Sequence, residues 1–170
     1  YEITNYMTLV SSLKMNESDS TTCNALYKCF SDIERIGDHA INIIQYSTDE
    51  DNKLSSSKYI EDELHQLASL LSKSFSLLST YSLDSQDECF EKIERIEDRI
   101  DELTASYRQA QIERLMEKKV NALDCVIYSE ILTDVERVSD HIMNIIQEAK
   151  RCNFTLSDEA IQSDPALSAA

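Results

Sequence analysis

The sequence predicts an all-α protein, a bundle of about five long helices, and three observations carry that reading. One glycine, Gly37, and one proline, Pro165, leave the 170-residue chain almost without the residues that break helices or build tight hairpins. Apolar residues recur at alternating steps of three and four, the period of a helix with one buried face. The phrase ERIGDHAINIIQ, Glu34 to Gln45, returns as ERVSDHIMNIIQ, Glu136 to Gln147, after a shift of 102 residues (136 − 34), with eight of its twelve positions identical. A chain that repeats a helical phrase at that distance reads as a duplicated helical unit.

Each element follows from the pattern. Tyr1 to about Met15 places Ile3, Met7, Val10 and Leu13 at helical spacing and ends in the polar run NESDSTT. A second helix, capped by Asp19 or Ser20, runs to about Tyr46 with Leu26, Phe30, Ile33, Ile36, Ala40 and Ile43 on one stripe. The serines of LSSSKY supply N-cap hydroxyls for a third helix, through Leu64, Leu67, Leu71 and Phe75 to about Leu78. A fourth, from about Gln86 to Lys118, carries the bundle seam Phe90, Ile93, Ile96, Ile100, Leu103 and Tyr107. Asn121 caps a fifth, with Val126, Ile131, Val135, Val138, Ile142 and Ile145 inward, towards Arg151. Residues 153–170, polar and alanine-rich, read as a frayed tail. Helices three to five form one up-down-up unit, whereas the first half holds only equivalents of its last two, so an unpaired helix face is expected near the N-terminus. Because Tyr1 falls inside a helical pattern, the chain reads as a fragment of something longer.

Composition narrows the function. Thirty-two acidic against sixteen basic residues give a formal charge of −16, a field that repels nucleic-acid phosphates and anionic lipid heads and favours cations or basic partners. Nucleic-acid binding is therefore excluded. Cys23, Cys29, Cys89, Cys125 and Cys152 show no metal-binding spacing and read as reduced core thiols of a cytosolic protein; Cys23 and Cys125 are equivalent positions of the repeat. No apolar run approaches the ~20 residues that span a bilayer, and no signal peptide opens the chain.

The doubled phrase carries the candidate chemistry. Glu34, Asp38 and Asn42 fall on one helix stripe at i, i+4 steps, and Glu136, Asp140 and Asn144 repeat it. Carboxylates one turn apart repel by a few tenths of a kcal/mol, so helix stability alone does not select this pattern twice. A solvated face screened by Arg35 and Arg137 is one reading. Oxygen ligands for a hard or borderline cation are the other, with the fourth helix offering Glu94, Glu97, Asp98 and Asp101 to the second site, Asp98 and Asp101 spaced i, i+3, and Glu2 and Asn5 of the first helix leaving the first site one carboxylate poorer. His39 and His141 stand about 100° off the stripe and suit a bond to a neighbouring helix as well as a metal. Gly37 and Ser139, small residues at matching positions, suggest close helix approach. No catalytic constellation is present. A ferritin-like di-metal enzyme needs Glu three positions before His, and neither histidine has it.

DIERIGDHAINI and DVERVSDHIMNI resemble the signature of PhoU-like domains, repeated three-helix bundles associated with phosphate transport and its regulation. The stretch from Tyr107 to Ile145 is most similar to the cytoplasmic C-terminal region of bacterial sodium/phosphate cotransporter family proteins. The resemblance implies a PhoU-like antiparallel bundle of two related three-helix units over residues 1–152, with 1–48 a partial first repeat lacking its opening helix and 55–152 the second. It implies multinuclear iron or zinc at Glu34, Asp38, Glu136 and Asp140, with Asp98 and Asp101 matching the acidic positions of the partner helix. It further implies a non-enzymatic regulatory domain on the cytoplasmic side of the cell membrane. The partners it implies are a membrane-embedded transporter segment of the same polypeptide and a second copy in a homodimer. The alternative is a free-standing PhoU-type regulator acting on an ABC transporter and a sensor kinase.

Overall fold

With its one glycine in mid-helix, the chain starts and stops helices by side-chain capping and left-handed residues. The computed structural model describes residues 2–48, 54 and 57–154, apart from the side chains of Glu2, Thr4 and Ser47. Among them it holds five α-helices: α1 (Glu2–Ser11), α2 (Glu17–Thr48), α3 (Lys58–Ser79), α4 (Gln86–Met116) and α5 (Ala122–Cys152), with one 3₁₀ turn, Leu83–Ser85, before α4. The all-helical bundle is as expected; the expected tail lies outside the described residues beyond Phe154.

The Asn121 side-chain oxygen accepts the Asp124 amide at 2.8 Å, the N-cap read from the sequence. For α2 the cap is Asn16, whose Oδ1 accepts the Asp19 amide at 2.8 Å, rather than Asp19 or Ser20; reaching three residues on, Asn16 makes Asp19 an acid of the first turn. Ser57 stands at the start of α3 but its hydroxyl makes no cap bond. α1 ends at Ser11, short of Met15, where the Ser11 and Ser12 hydroxyls turn back on the Met7 and Leu9 carbonyls. Lys118 (φ 58°) and Asn153 (φ 53°) take left-handed backbone after α4 and α5, and the amide of Phe154 reaches back to the Ala149 carbonyl.

Helices α3, α4 and α5 close around two apolar clusters. One joins Ile60 and Leu67 of α3, Ile100 and Leu103 of α4, and Ile127, Tyr128, Ile131, Leu132 and Val135 of α5. The other joins Tyr81, Cys89 and Ile93 to Val138, Ile142, Met143, Ile146 and Ala149. The α4 seam behaves as read, with Ile93, Ile100 and Leu103 buried and Phe90, Ile96 and Tyr107 packed at the edge. Val126 is the exception on α5 at 59% exposed, because five residues before Ile131 lies about 140° away around the helix. Glu63 of α3 pins the three helices together, accepting from both Arg114 guanidinium nitrogens (3.1 and 2.6 Å) and from the Tyr128 hydroxyl (2.6 Å). Burial and that hydrogen bond push the Tyr128 phenol far up.

The most extensive helix contact is between α2 and α5. The pairs Cys29–Ile145, Asp32–His141 and His39–Asp134 run in opposite senses along the two helices, so they are antiparallel. This contact revises the face expected of α2. Ala25 and Cys29 are buried, and Ile36 and Ile43 pack on the two clusters, whereas Phe30, Ile33 and Ala40 of the expected stripe are exposed. Among the described residues the unpaired apolar face expected near the N-terminus is there, with Ile3, Tyr6 and Leu9 of α1 each more than half exposed. Gly37 is exposed on α2; a glycine inside a helix costs about 0.5–1 kcal/mol relative to alanine, yet an added Cβ would meet nothing within 4 Å. Its counterpart Ser139 is buried, so the close approach read for the pair occurs at one of them.

All five cysteines are free thiols. Cys23, Cys29 and Cys89 are buried, whereas Cys125 and Cys152 are half-buried, so the core placement expected of all five holds for three. Burial, then the charges of Asp32 and Glu148, pushes the Cys29 thiol up to about 11, which keeps it protonated and unreactive.

Candidate functional site

The doubled phrase meets itself at the α2–α5 crossing. His39 Nδ1 lies 2.7 Å from Asp134 Oδ1, and its equivalent His141 Nδ1 lies 2.7 Å from Asp32 Oδ1. Since a carboxylate only accepts, each Nδ1–H is the donor. Asn42 donates to Asp134 and Asn144 to Asp32, both at 3.4 Å. Every partner maps onto the other under the shift of 102, so the two helices are related by a pseudo-twofold, the reciprocity of an isologous interface within one chain. The imidazole rings stack near that axis, centroids 5.6 Å apart and 26° from parallel. The histidines thus take the helix-bonding role left open by the sequence. Asp32 and Asp134 had no role in that reading, although they too stand 102 apart, which is the signal that could have found them.

The acids of the second unit gather between α4 and α5. Burial, then the charges of Glu136, Asp140 and Asp98, pushes the Asp101 carboxyl up, against a pull from Arg108. Burial, then Asp101, Asp98, Asp140 and Glu94, pushes the Glu97 carboxyl up. Glu97, Asp98, Asp101, Glu136 and Asp140 therefore act on one another through their charges. Asp140 also lies 3.4 Å from Arg137. Glu136 behaves differently, since Arg108 holds both its oxygens (2.6 and 2.7 Å) and the Thr104 hydroxyl donates to it. Burial pushes that carboxyl up, and the bonds from Arg108 and Thr104 outweigh it, so the net direction is down. Arg108 was missed by sequence reasoning, although it stands seven residues, two turns, after Asp101 on the same face of α4.

In the first unit Glu34 and Asp38 stand exposed on α2 and Asn5 exposed on α1, while the Glu2 side chain lies outside the described residues. The donor chemistry of the second unit, all carboxylate oxygen, suits a hard or borderline cation. The geometry does not close a shell, because Arg108 occupies Glu136, and among the described residues no group of three or more His, Cys, Asp or Glu side chains is arranged to hold a metal ion.

The family profile described as the PhoU domain matches residues 62–149, from the second turn of α3 to the last turn of α5. The chain belongs to the PhoU family. The PhoU domain match thus coincides with the complete three-helix unit. Among curated proteins, the phosphate-specific transport system accessory protein PhoU homolog 1 of Thermotoga maritima is 28% identical over 126 residues, covering 72% of this chain and 53% of the relative. The corresponding PhoU homolog of Deinococcus radiodurans is 24% identical over 125 residues, covering 74% and 58%. The chain spans somewhat over half the length of these relatives. No solved structure matches it. No helix among the described residues is long and apolar enough to cross a membrane.

Two measurements test this geometry. His39→Ala and Asp134→Ala are each expected to cost about 1–2 kcal/mol in chemical denaturation, and a double-mutant cycle is expected to return a coupling above ~0.5 kcal/mol; additive losses would show the pair to be incidental. For Asp101 the folded-state carboxyl sits above its unfolded value, so stability falls as pH rises through that window, while Glu136, lowered, loses its contribution as pH falls through its folded value. Asp101→Asn is therefore expected to raise Tm at neutral pH, with the gain shrinking towards pH ~4, where the native carboxyl is itself protonated. An unchanged or lowered Tm at neutral pH would remove the shared field.

Proposed function

We propose that this chain is a non-enzymatic regulatory and interaction domain of phosphate uptake. The observation that carries the reading is the PhoU domain match over the complete α3–α5 unit, with both relatives named as accessory proteins of phosphate-specific transport. A locked pair of helical units presenting acidic and apolar surfaces suits a module that docks and relays, not one that turns over substrate.

Within that class, the similarity of Tyr107 to Ile145 to sodium/phosphate cotransporter proteins supports a domain held at the cytoplasmic face of the membrane by transporter segments of the same polypeptide. The relatives' names support a second reading at least as strongly, that of a free-standing accessory protein of phosphate-specific transport; in that reading it would act on an ABC transporter and a sensor kinase. The two part on one experiment with the native, full-length gene product. Resistance to carbonate extraction from the membrane pellet is expected of the first; release into the soluble fraction overturns it in favour of the second.

Metal binding is part of the proposal. Asp98, Asp101 and Asp140 would hold iron or zinc, joined by Glu136 when Arg108 releases it; Glu34 and Asp38 stand as separate, more exposed donors. A bound cation would neutralise the field that raises Asp101 and Glu97. Elemental analysis of protein purified without chelator is expected to find iron or zinc in the parent and not in the Glu136→Ala/Asp140→Ala variant, with the helical content of Asp140→Ala nearly unchanged. Metal absent from both, after incubation with iron and zinc, would return the acids to solvated helix faces. Direct binding of phosphate to a chain of charge −16 is disfavoured unless a metal bridges.

A further inference from the structure

Cations gather on one groove of this acidic chain. The groove lies between two helices, has a volume of about 400 Å³, and is lined by Lys73, Ser76 and Leu77 of α3 and by Lys92, Arg95 and Ile96 of α4. Every charged residue of that lining is a cation, in a chain with 32 acids against 16 bases. The α3 wall brings no opposing charge, because the stretch from Leu64 to Leu83 contains no acid. The floor is apolar: Leu77 and Ile96 are half-buried, one packed on each of the two core clusters.

The rim cations are open to a partner. Lys73 pairs with no acid among the described residues. Lys92 and Arg95 hold Glu88 (2.7 Å) and Glu91 (3.1 Å) one turn back, with both members of each pair more than half exposed. Such exposed pairs contribute little in water and yield to a competing carboxylate.

The sequence supplies a segment of the complementary chemistry. Residues 155–170, which lie outside the described residues, carry three acids, Asp158, Glu159 and Asp164, and no cation. The apolar Ile161 stands between those acids. The segment also starts close to the groove, since Phe154 packs against the same core cluster as the groove residue Leu77. An extended chain advances ~3.3 Å per residue, so Ile161, seven residues on (161 − 154), can lie as far as ~23 Å from Phe154. The nearer cations are already taken, Lys150 by Asp87 and Arg151 by Glu148.

We propose that residues 155–167 dock in the α3–α4 groove of their own chain, with Ile161 over Leu77 and Ile96 and the three acids against Lys73, Lys92 and Arg95. Tethering favours this occupant, because a short linker holds the segment at an effective concentration on the order of millimolar, and contacts too weak to join separate molecules then fill the groove. Docking takes the apolar floor out of water and brings the acids to a patch of opposite charge on a surface that otherwise repels them. It also closes the groove to any other acidic segment until the tail is displaced. This inference rests on charge and chain geometry, and it stands under either reading of function above.

The test uses the full 170-residue chain, reading amide hydrogen exchange between Thr155 and Leu167 by NMR at low and high salt, with sedimentation alongside. The parent is expected to exchange there roughly threefold or more below the random-coil rate at low salt, and to approach that rate at high salt. Lys73→Glu/Lys92→Glu and Asp158→Lys/Glu159→Lys are each expected to release the segment, and the chain carrying all four substitutions is expected to dock it again. Ile161→Ser is expected to release it without any change of charge. Lys73 and Lys92 are exposed, so the helical content of the groove variant is expected to stay unchanged. Random-coil exchange in the parent at low salt would overturn the proposal and leave the groove to an acidic segment of another protein. Release by each reversal with no recovery in the fourfold variant would also overturn it. Protection that appears only as the chain dimerises would assign the groove to a second copy's tail, against the proposal.

Discussion

The α2–α5 crossing is the constraint on which the rest depends. It is made by the doubled phrase packing against itself, and it sets which side of each long helix is left for everything else. Once His39 engages Asp134 and His141 engages Asp32, the azimuth of both helices is fixed to within a hydrogen bond. The ExxxD stripes are then carried to the flanks, and each helix keeps a further apolar side away from the crossing. In the second unit α3 covers that side; in the first, no described helix does.

Charge is managed by position rather than by balance. In a chain of −16, two of the sixteen cations are placed where burial would otherwise leave acids uncompensated. Arg114 serves Glu63 at the centre of the three-helix unit, and Arg108 serves Glu136 beside the acid cluster. Asp101 has the weaker pull of Arg108, and burial followed by the neighbouring acids leaves the Asp101 and Glu97 carboxyls raised. The same arrangement engages both oxygens of Glu136 with Arg108, so a cation proposed for that carboxylate would have to displace the guanidinium.

The helices were legible because their signal is local. Apolar spacing, a scarcity of Gly and Pro, and the Asn121 cap are properties of short windows, and all survive in the structure. The stripe of α2 was not legible. Its residues from Leu26 to Ile43 span more than one apolar side, and periodicity cannot say which side meets α5 when the chain has two to offer. Likewise the acid at Glu136 reads as a ligand in the sequence, because the guanidinium that takes it comes from another helix, 28 residues away.

By itself the sequence determined the class, the number and approximate span of the helices, the duplication, and membership of the PhoU family, since these rest on composition, period and repeated words. Only the tertiary structure decided that the repeated histidines bond aspartates across a pseudo-twofold, that the second unit's acids gather while the first's stand apart, and that one apolar face is filled and its twin is open. The physical reason is that each of these depends on the relative rotation of two helices, which is set by long-range contacts between residues about a hundred positions apart and leaves no trace in either helix alone.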